Sequence, residues 1–162
     1  MDRVNAFPDE TRDIYARQAV AYDTKRSRAL FEARWLARFS ACLPARARVL
    51  DLGCGAGEPI ARWFIAEGFM VTGIDFAEPM LDLARARWPD GDWRHVDMKR
   101  LELGETFDGI IAWNSFFHLR PDEQRMCIGR MAKHLEPGGS VLLTVGHKAG
   151  EVSGTVGGEP VY

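Results

Sequence analysis

Val49-Leu50-Asp51-Leu52-Gly53-Cys54-Gly55-Ala56-Gly57 decides how this chain is read. A short apolar run meets a carboxylate and three glycines follow at alternate positions. Glu58-Pro59-Ile60-Ala61-Arg62-Trp63-Phe64 then opens a helical pattern. The spacing predicts a strand, a tight loop and a helix. Glycine is needed where the backbone takes a positive φ, or where a ligand lies against it with no Cβ between them. The loop is therefore expected to touch something.

Spacing narrows what that is. A dinucleotide-binding turn follows G-x-G-x-x-G/A, and its third small residue would fall at position 58, which is Glu. A diphosphate would also face Asp51 and Glu58, where helix polarity otherwise favours anions. A nicotinamide-linked oxidoreductase is disfavoured on that ground, and a ligand carrying positive charge suits the loop better. Residues 49–57 resemble motif I of the class I S-adenosylmethionine (SAM)-dependent methyltransferases, hydrophobic-x-Asp/Glu-x-Gly-x-Gly-x-Gly, at every defined position. The resemblance implies a SAM site at Asp51, Gly53, Cys54, Gly55 and Gly57, with Cys54 a small residue tolerated in the loop. SAM carries a sulfonium and an ammonium and no phosphate.

Later segments arrive in that family's order. Glu67-Gly68 reads as a helix stop, and Phe69 to Asp75 as a second buried strand ending in a carboxylate. A carboxylate at such a strand end can accept both ribose hydroxyls, and the resemblance assigns that role to Asp75. Phe76 to Arg87 resembles the family's D-x-S-x-x-M-L stretch, with Phe76 or Met80 packing on adenine. Trp93 to Met98 reads as strand three; by the resemblance Asp97 takes the adenine amino group and the Met98 backbone a ring nitrogen. Phe107 to Trp113 reads as strand four, and the loop after it resembles the one passing under the methyl donor, which puts Trp113 beside the cofactor. Some nucleic-acid methyltransferases carry Asn/Asp-Pro-Pro-aromatic here. Asn114-Ser115-Phe116-Phe117 lacks both prolines, so base-flipping chemistry loses its support. A helix from Arg120 through Leu135, a turn at 136–139 and strand five at Ser140 to Val145 complete the series.

Ahead of the glycine loop, Asp9 to Leu43 reads as two helices separated near Ala21-Tyr22-Asp23, the second from Thr24 to about Ser40 with Leu30, Phe31, Trp35 and Phe39 on one face. Its basic residues, Arg26 and Arg28 among them, alternate with Asp23 and Glu32 and read as a solvated face, so no nucleic-acid partner is expected. The position of these helices resembles the substrate lid of small-molecule members of the family, with Tyr15, Tyr22, Arg26 and Arg28 as candidates to close over SAM. In-line methyl transfer draws mainly on positioning. A base helps a hydroxyl or a protonated amine, and His118, just past strand four, is the imidazole best placed to act; His95, His134 and His147 read as structural or exposed.

Bulk properties bound the rest. The chain of 162 residues has net charge −2 and three cysteines without a C-x-x-C pair, which suits one cytoplasmic domain without disulfides. No metal-ligand spacing, signal peptide or membrane span is expected. The expected fold is a three-layer α/β/α Rossmann-like methyltransferase fold with a mainly parallel sheet. It divides into an N-terminal helical lid (1–44), a SAM-binding core (45–146) and a Gly-rich tail (147–162) too short for the two strands that usually finish it. Strand five then leaves an open edge through which a homodimer is expected. The expected activity is methyl transfer from SAM, leaving S-adenosylhomocysteine (SAH), to O, N or S of a small-molecule acceptor. The alternative is a SAM/SAH-binding module without turnover.

Overall fold

The computed structural model describes residues 8–146 and 153–162. Helices α1 (Pro8–Lys25) and α2 (Ala33–Ser40) precede an alternating series. It runs β1 (Arg48–Leu52), α3 (Ile60–Ala66), β2 (Met70–Asp75), α4 (Glu78–Arg87), β3 (Asp92–His95), β4 (Phe107–Ala112), α5 (Pro121–Lys133) and β5 (Leu135–Leu143). The strands form one sheet in the order β3-β2-β1-β4-β5, every pair parallel.

Such a sheet is buried on both faces, which is why β1 reads as a nearly unbroken apolar run. Val49 and Ile111 point to one face and join Leu36 and Phe39 of α2 and Ile60 and Phe64 of α3. Leu50, Leu52 and Ile110 point to the other and meet Cys127 and Met131 of α5. Each fully buried Leu or Ile contributes about 1.5–3 kcal/mol, so three layers close around a single sheet. The order reverses between β1, which leads to β2, and β4, which lies on its other side. A crevice opens at the carboxyl ends of the strands at such a switch point.

Local chemistry sets the helix ends. Pro79 sits in the first turn of α4, where its missing N–H costs nothing, and Arg85 and Arg87 occupy the last turn, where cations meet the negative end of the dipole. At the start of α5, Glu123 accepts the backbone N–H of Arg120 at 2.9 Å.

Several boundaries differ from the sequence reading. The first helix continues past Ala21-Tyr22-Asp23 to Lys25, and the second begins only at Ala33. Between them Ser27 Oγ accepts the N–H of Ala29 at 3.3 Å, a local bond that competes with a helix. The buried face of α2 is Leu36 and Phe39, whereas Phe31 and Trp35 are exposed. Leu135 leaves α5 to open β5, and residues 136–139 bulge out before pairing resumes at Ser140 opposite Gly109. The tail also departs from expectation. Residues 154–161 form an antiparallel hairpin, β6 (Gly154–Val156) and β7 (Glu159–Val161), which turns at Gly157-Gly158 and does not join the main sheet. Val156 and Val161 pack on Ile14 of α1, and Glu159 accepts from Arg17 at 2.6 Å and Gln18 at 2.9 Å. Along the outer edge of β5 no described residue pairs. His147 lies outside the described residues. Among those described, no helix is long and apolar enough to cross a membrane.

Candidate functional site

The crevice at the switch point is an open cleft lined by the glycine loop, the end of β2, α1 and the segment after β4, the place where such a fold takes a ligand. Its floor is the glycine loop. Gly53 has φ +73°, and a Cβ there would lie 2.4 Å from Cβ of Ser115, so only glycine lets the loop pass this close to the chain after β4. The N–H groups of Gly53 and Cys54 both donate to the Ile74 carbonyl, at 2.8 and 3.0 Å, which fastens the loop to β2. Ser115 Oγ donates to the Leu52 carbonyl at 2.6 Å and fastens it to the other side.

Two carboxylates stand at this floor. Asp75 is 7% exposed; its Oδ2 accepts the Gly55 N–H at 2.9 Å and its Oδ1 the Ala77 N–H at 2.8 Å. Each oxygen keeps a lone pair for a hydroxyl of a ligand. Burial raises its pKa above the ordinary aspartate value, and those N–H groups oppose the shift. Asp51 is 3% exposed, and among the described residues none donates a hydrogen bond to its carboxylate. Burial, with the charge of Asp75 beside it, pushes its pKa up to about 7, against which the Arg26 guanidinium works. Asp51 lines the cavity, where a ligand's donor can reach its carboxylate. A ligand bringing a positive group to Asp51, hydroxyls to Asp75 and an anionic group to Arg26 fits this set.

The roof comes from α1 and the segment after β4. Tyr15, Tyr22, Asp23 and Arg26 face the cavity from above, and Trp113, Asn114 and His118 from the side. The Tyr15 ring meets Tyr22, Phe76 and His118 edge-on at 5.3, 6.3 and 5.5 Å. His118 Nδ1 is hydrogen-bonded to the Tyr162 carbonyl, which can only accept, so the proton sits on Nδ1. Nε2 then accepts the Tyr15 hydroxyl at 3.1 Å. Burial lowers the pKa of His118 and keeps it neutral, while the Tyr162 carbonyl opposes the shift. Burial likewise raises that of Tyr15 and of Cys54, which stays an unreactive thiol.

Of the residues singled out in the sequence, Asp51, Gly53, Cys54, Gly55, Asp75, Phe76, Met80, Trp113, Tyr22 and His118 face this cavity. Asp97 and Met98 do not. They line an adjoining depression that shares Phe76, Ser115 and His118 with it, and Asp97 Oδ1 accepts the Lys99 N–H at 2.9 Å. Gly57 faces away: at φ +77° its missing Cβ leaves room for Trp88, 2.6 Å from where that atom would be. It serves packing of the loop on the tryptophan pair Trp88 and Trp93. Arg28 reaches Asp23 at 3.2 Å and Glu58 at 3.9 Å and lies outside the lining. His134 is structural, its Nε2 accepting the Leu103 N–H at 2.9 Å. Sequence reasoning did not place Asp23, Asn114 or Ser115 in the site. The positive φ of Asn114, a residue type tolerant of it, is a signal that the chain turns sharply there. No group of three or more potential ligands able to hold a metal occurs among the described residues.

A parallel sheet with a glycine loop at its switch point and a carboxylate ending the neighbouring strand defines a nucleoside-binding α/β domain. The methyltransferase domain family matches residues 49–139, more than half of the chain, and the chain belongs to that family. It is 32% identical over 102 residues to the dTDP-3-amino-3,4,6-trideoxy-alpha-D-glucopyranose N,N-dimethyltransferase of Streptomyces venezuelae, covering 62% of this chain and 43% of that protein. To the 27-O-demethylrifamycin SV methyltransferase of Amycolatopsis mediterranei it is 36% identical over 115 residues, 65% of this chain and 42% of the other. Among solved structures it resembles the SAM-bound amino pentose methyltransferase of calicheamicin biosynthesis from Micromonospora echinaspora. The TM-score is 0.64 at 33% identity, over 78% of this chain and 54% of that one. The chain thus spans less than half the length of these two sequence relatives.

Proposed function

We propose that this chain binds SAM in the glycine-loop crevice and belongs to an enzyme that transfers its methyl group to an O, N or S nucleophile of a small molecule. The observation that carries the reading is the pair Asp51 and Asp75 at the loop, one buried without a donor and one holding the loop's Gly55 N–H. Asp75 accepts the ribose hydroxyls, Asp51 faces the methionyl ammonium, Arg26 takes the methionyl carboxylate, and Phe76 and Met80 flank adenine, whose edge reaches Asp97 and the Met98 N–H. Tyr15, Tyr22 and Asp23 of α1, with Arg26 just after it, act as the lid, whereas α2 packs on the sheet, and residues 45–146 act as the cofactor-binding core. Relatives named as N,N-dimethyltransferases and a rifamycin methyltransferase support a small acceptor.

SAM, when bound, supplies a methyl group activated by a sulfonium. The chain contributes position and dryness: the aromatic roof of Tyr15, Tyr22 and Trp113 excludes water and holds the acceptor in line with the methyl carbon. His118 Nε2 gives up the Tyr15 hydroxyl and takes the proton that the acceptor loses, while Nδ1–H stays on the Tyr162 carbonyl. Incubation with methyl-labelled SAM and a panel of small amines, alcohols and thiols tests the reading. Label appearing on one acceptor class is the expected result. Label that binds without transfer to any acceptor favours a binding module, and no retention of label rejects the site.

A further inference from the structure

Arg87 ends α4 outside the cavity lining, yet it touches both walls of the crevice. Its Nη1 donates to Asp23 Oδ1 at 2.9 Å and to the Ala56 carbonyl of the glycine loop at 3.0 Å, while Nη2 donates to Asp23 Oδ2. Asp23 belongs to the roof, is 8% exposed, and is held also by Arg28 at 3.2 Å. One guanidinium therefore joins the lid helix to the loop beneath the ligand, in the bidentate geometry that arginine provides and lysine cannot.

Apolar packing of α1 here comes from Ala19 on Ala56, Ala77 and Met80, with Tyr15 and Tyr22 partly buried against the same cluster. The charged part of the attachment is the pair of Asp23 and Arg87, and a largely buried charge pair loses much when one partner goes. Tyr15 and Tyr22 of the same helix line the crevice, so the latch lies beside the ligand's cover.

Resting on the cofactor reading above, we infer that Arg87 is a positioning residue: with Asp23 and the Ala56 carbonyl it latches α1 onto the glycine loop and sets how fast the nucleoside is released.

The test is stopped-flow dissociation of SAH, followed by intrinsic tryptophan fluorescence, in the native chain and in Arg87→Lys, Arg87→Gln and Asp23→Asn, with circular dichroism to verify folding. Dissociation is expected to quicken at least tenfold in Arg87→Gln and Asp23→Asn, less in Arg87→Lys, and no further in the double variant, since both singles open one latch. Hydrogen exchange along residues 10–25 is expected to rise in the same variants. Dissociation within twofold of native in folded Arg87→Gln or Asp23→Asn overturns the latch. Should one variant not fold, the other decides. Native protein that takes up no SAH overturns the cofactor reading, and the latch with it.

Discussion

Replacing Asp51 by Asn should stabilise the protein and weaken its ligand binding at once. The folded chain keeps a proton on Asp51 up to about pH 7, because the carboxylate is buried, lies beside Asp75 and has only Arg26 to oppose the shift; the unfolded chain loses it near 3.8. Between those values the folded state binds more protons, so this group lowers stability as pH rises. The gap, at about 1.36 kcal/mol per pH unit, amounts to a cost of about 4 kcal/mol above pH 7 as an upper bound. Asparagine fills nearly the same volume without the charge. Urea denaturation of both proteins from pH 4.5 to 8 is the assay. The Asp51→Asn variant is expected to exceed native by up to about 4 kcal/mol at pH 8, with the advantage shrinking steadily toward pH 4. Titration with SAH at pH 8 is expected to show weaker binding in the same variant. An advantage that does not change with pH, or a native protein that is the more stable at pH 8, refutes the reasoning.

Other outcomes follow from the same geometry. Asp75→Ala should cost about 3 kcal/mol of SAH affinity, the value of two hydrogen bonds to a charged acceptor, measurable by calorimetry; unchanged affinity removes Asp75 from the site. Below about pH 7 native SAH affinity should decline as Asp51 takes up its proton, and a flat profile between pH 5 and 8 contradicts its role. Gly57→Ala should lose about 1–3 kcal/mol of stability, since its Cβ meets Trp88, while the fraction still folded binds SAH normally. His118→Asn should lower kcat with little change in SAM affinity. In native protein kcat at saturating SAM should fall on the acid side with a midpoint below the ordinary imidazole value, because burial lowers the His118 pKa.

What the sequence disclosed was local. Three glycines at alternate positions, a carboxylate ending each of two apolar runs and the order of the later strands fixed the sheet and the floor of the crevice. Each of these is a short-range pattern with one geometric solution. The roof was harder. Asp23 takes its partner, Arg87, from 64 residues away, and nothing around Tyr22-Asp23 announces that α1 runs on through it. Gly57 belongs to the same glycine pattern as Gly53, and only the position of Trp88 separates packing from ligand contact. The hairpin of β6 and β7 escaped because two three-residue strands in a Gly-rich stretch carry too little pattern. Its stability comes from Ile14, Arg17 and Gln18 of α1, far away in the chain. His118 was found by position, but its tautomer depends on the Tyr162 carbonyl, a contact no spacing rule contains.

A crystal structure of the protein grown with SAH tests the site itself. Density is expected in the crevice with the ribose hydroxyls about 2.6–3.2 Å from the Asp75 carboxylate, the ammonium toward Asp51 and the sulfur open toward His118. A crevice closed by Tyr15 and Tyr22 at saturating SAH, or a ligand seated away from Asp75, contradicts it.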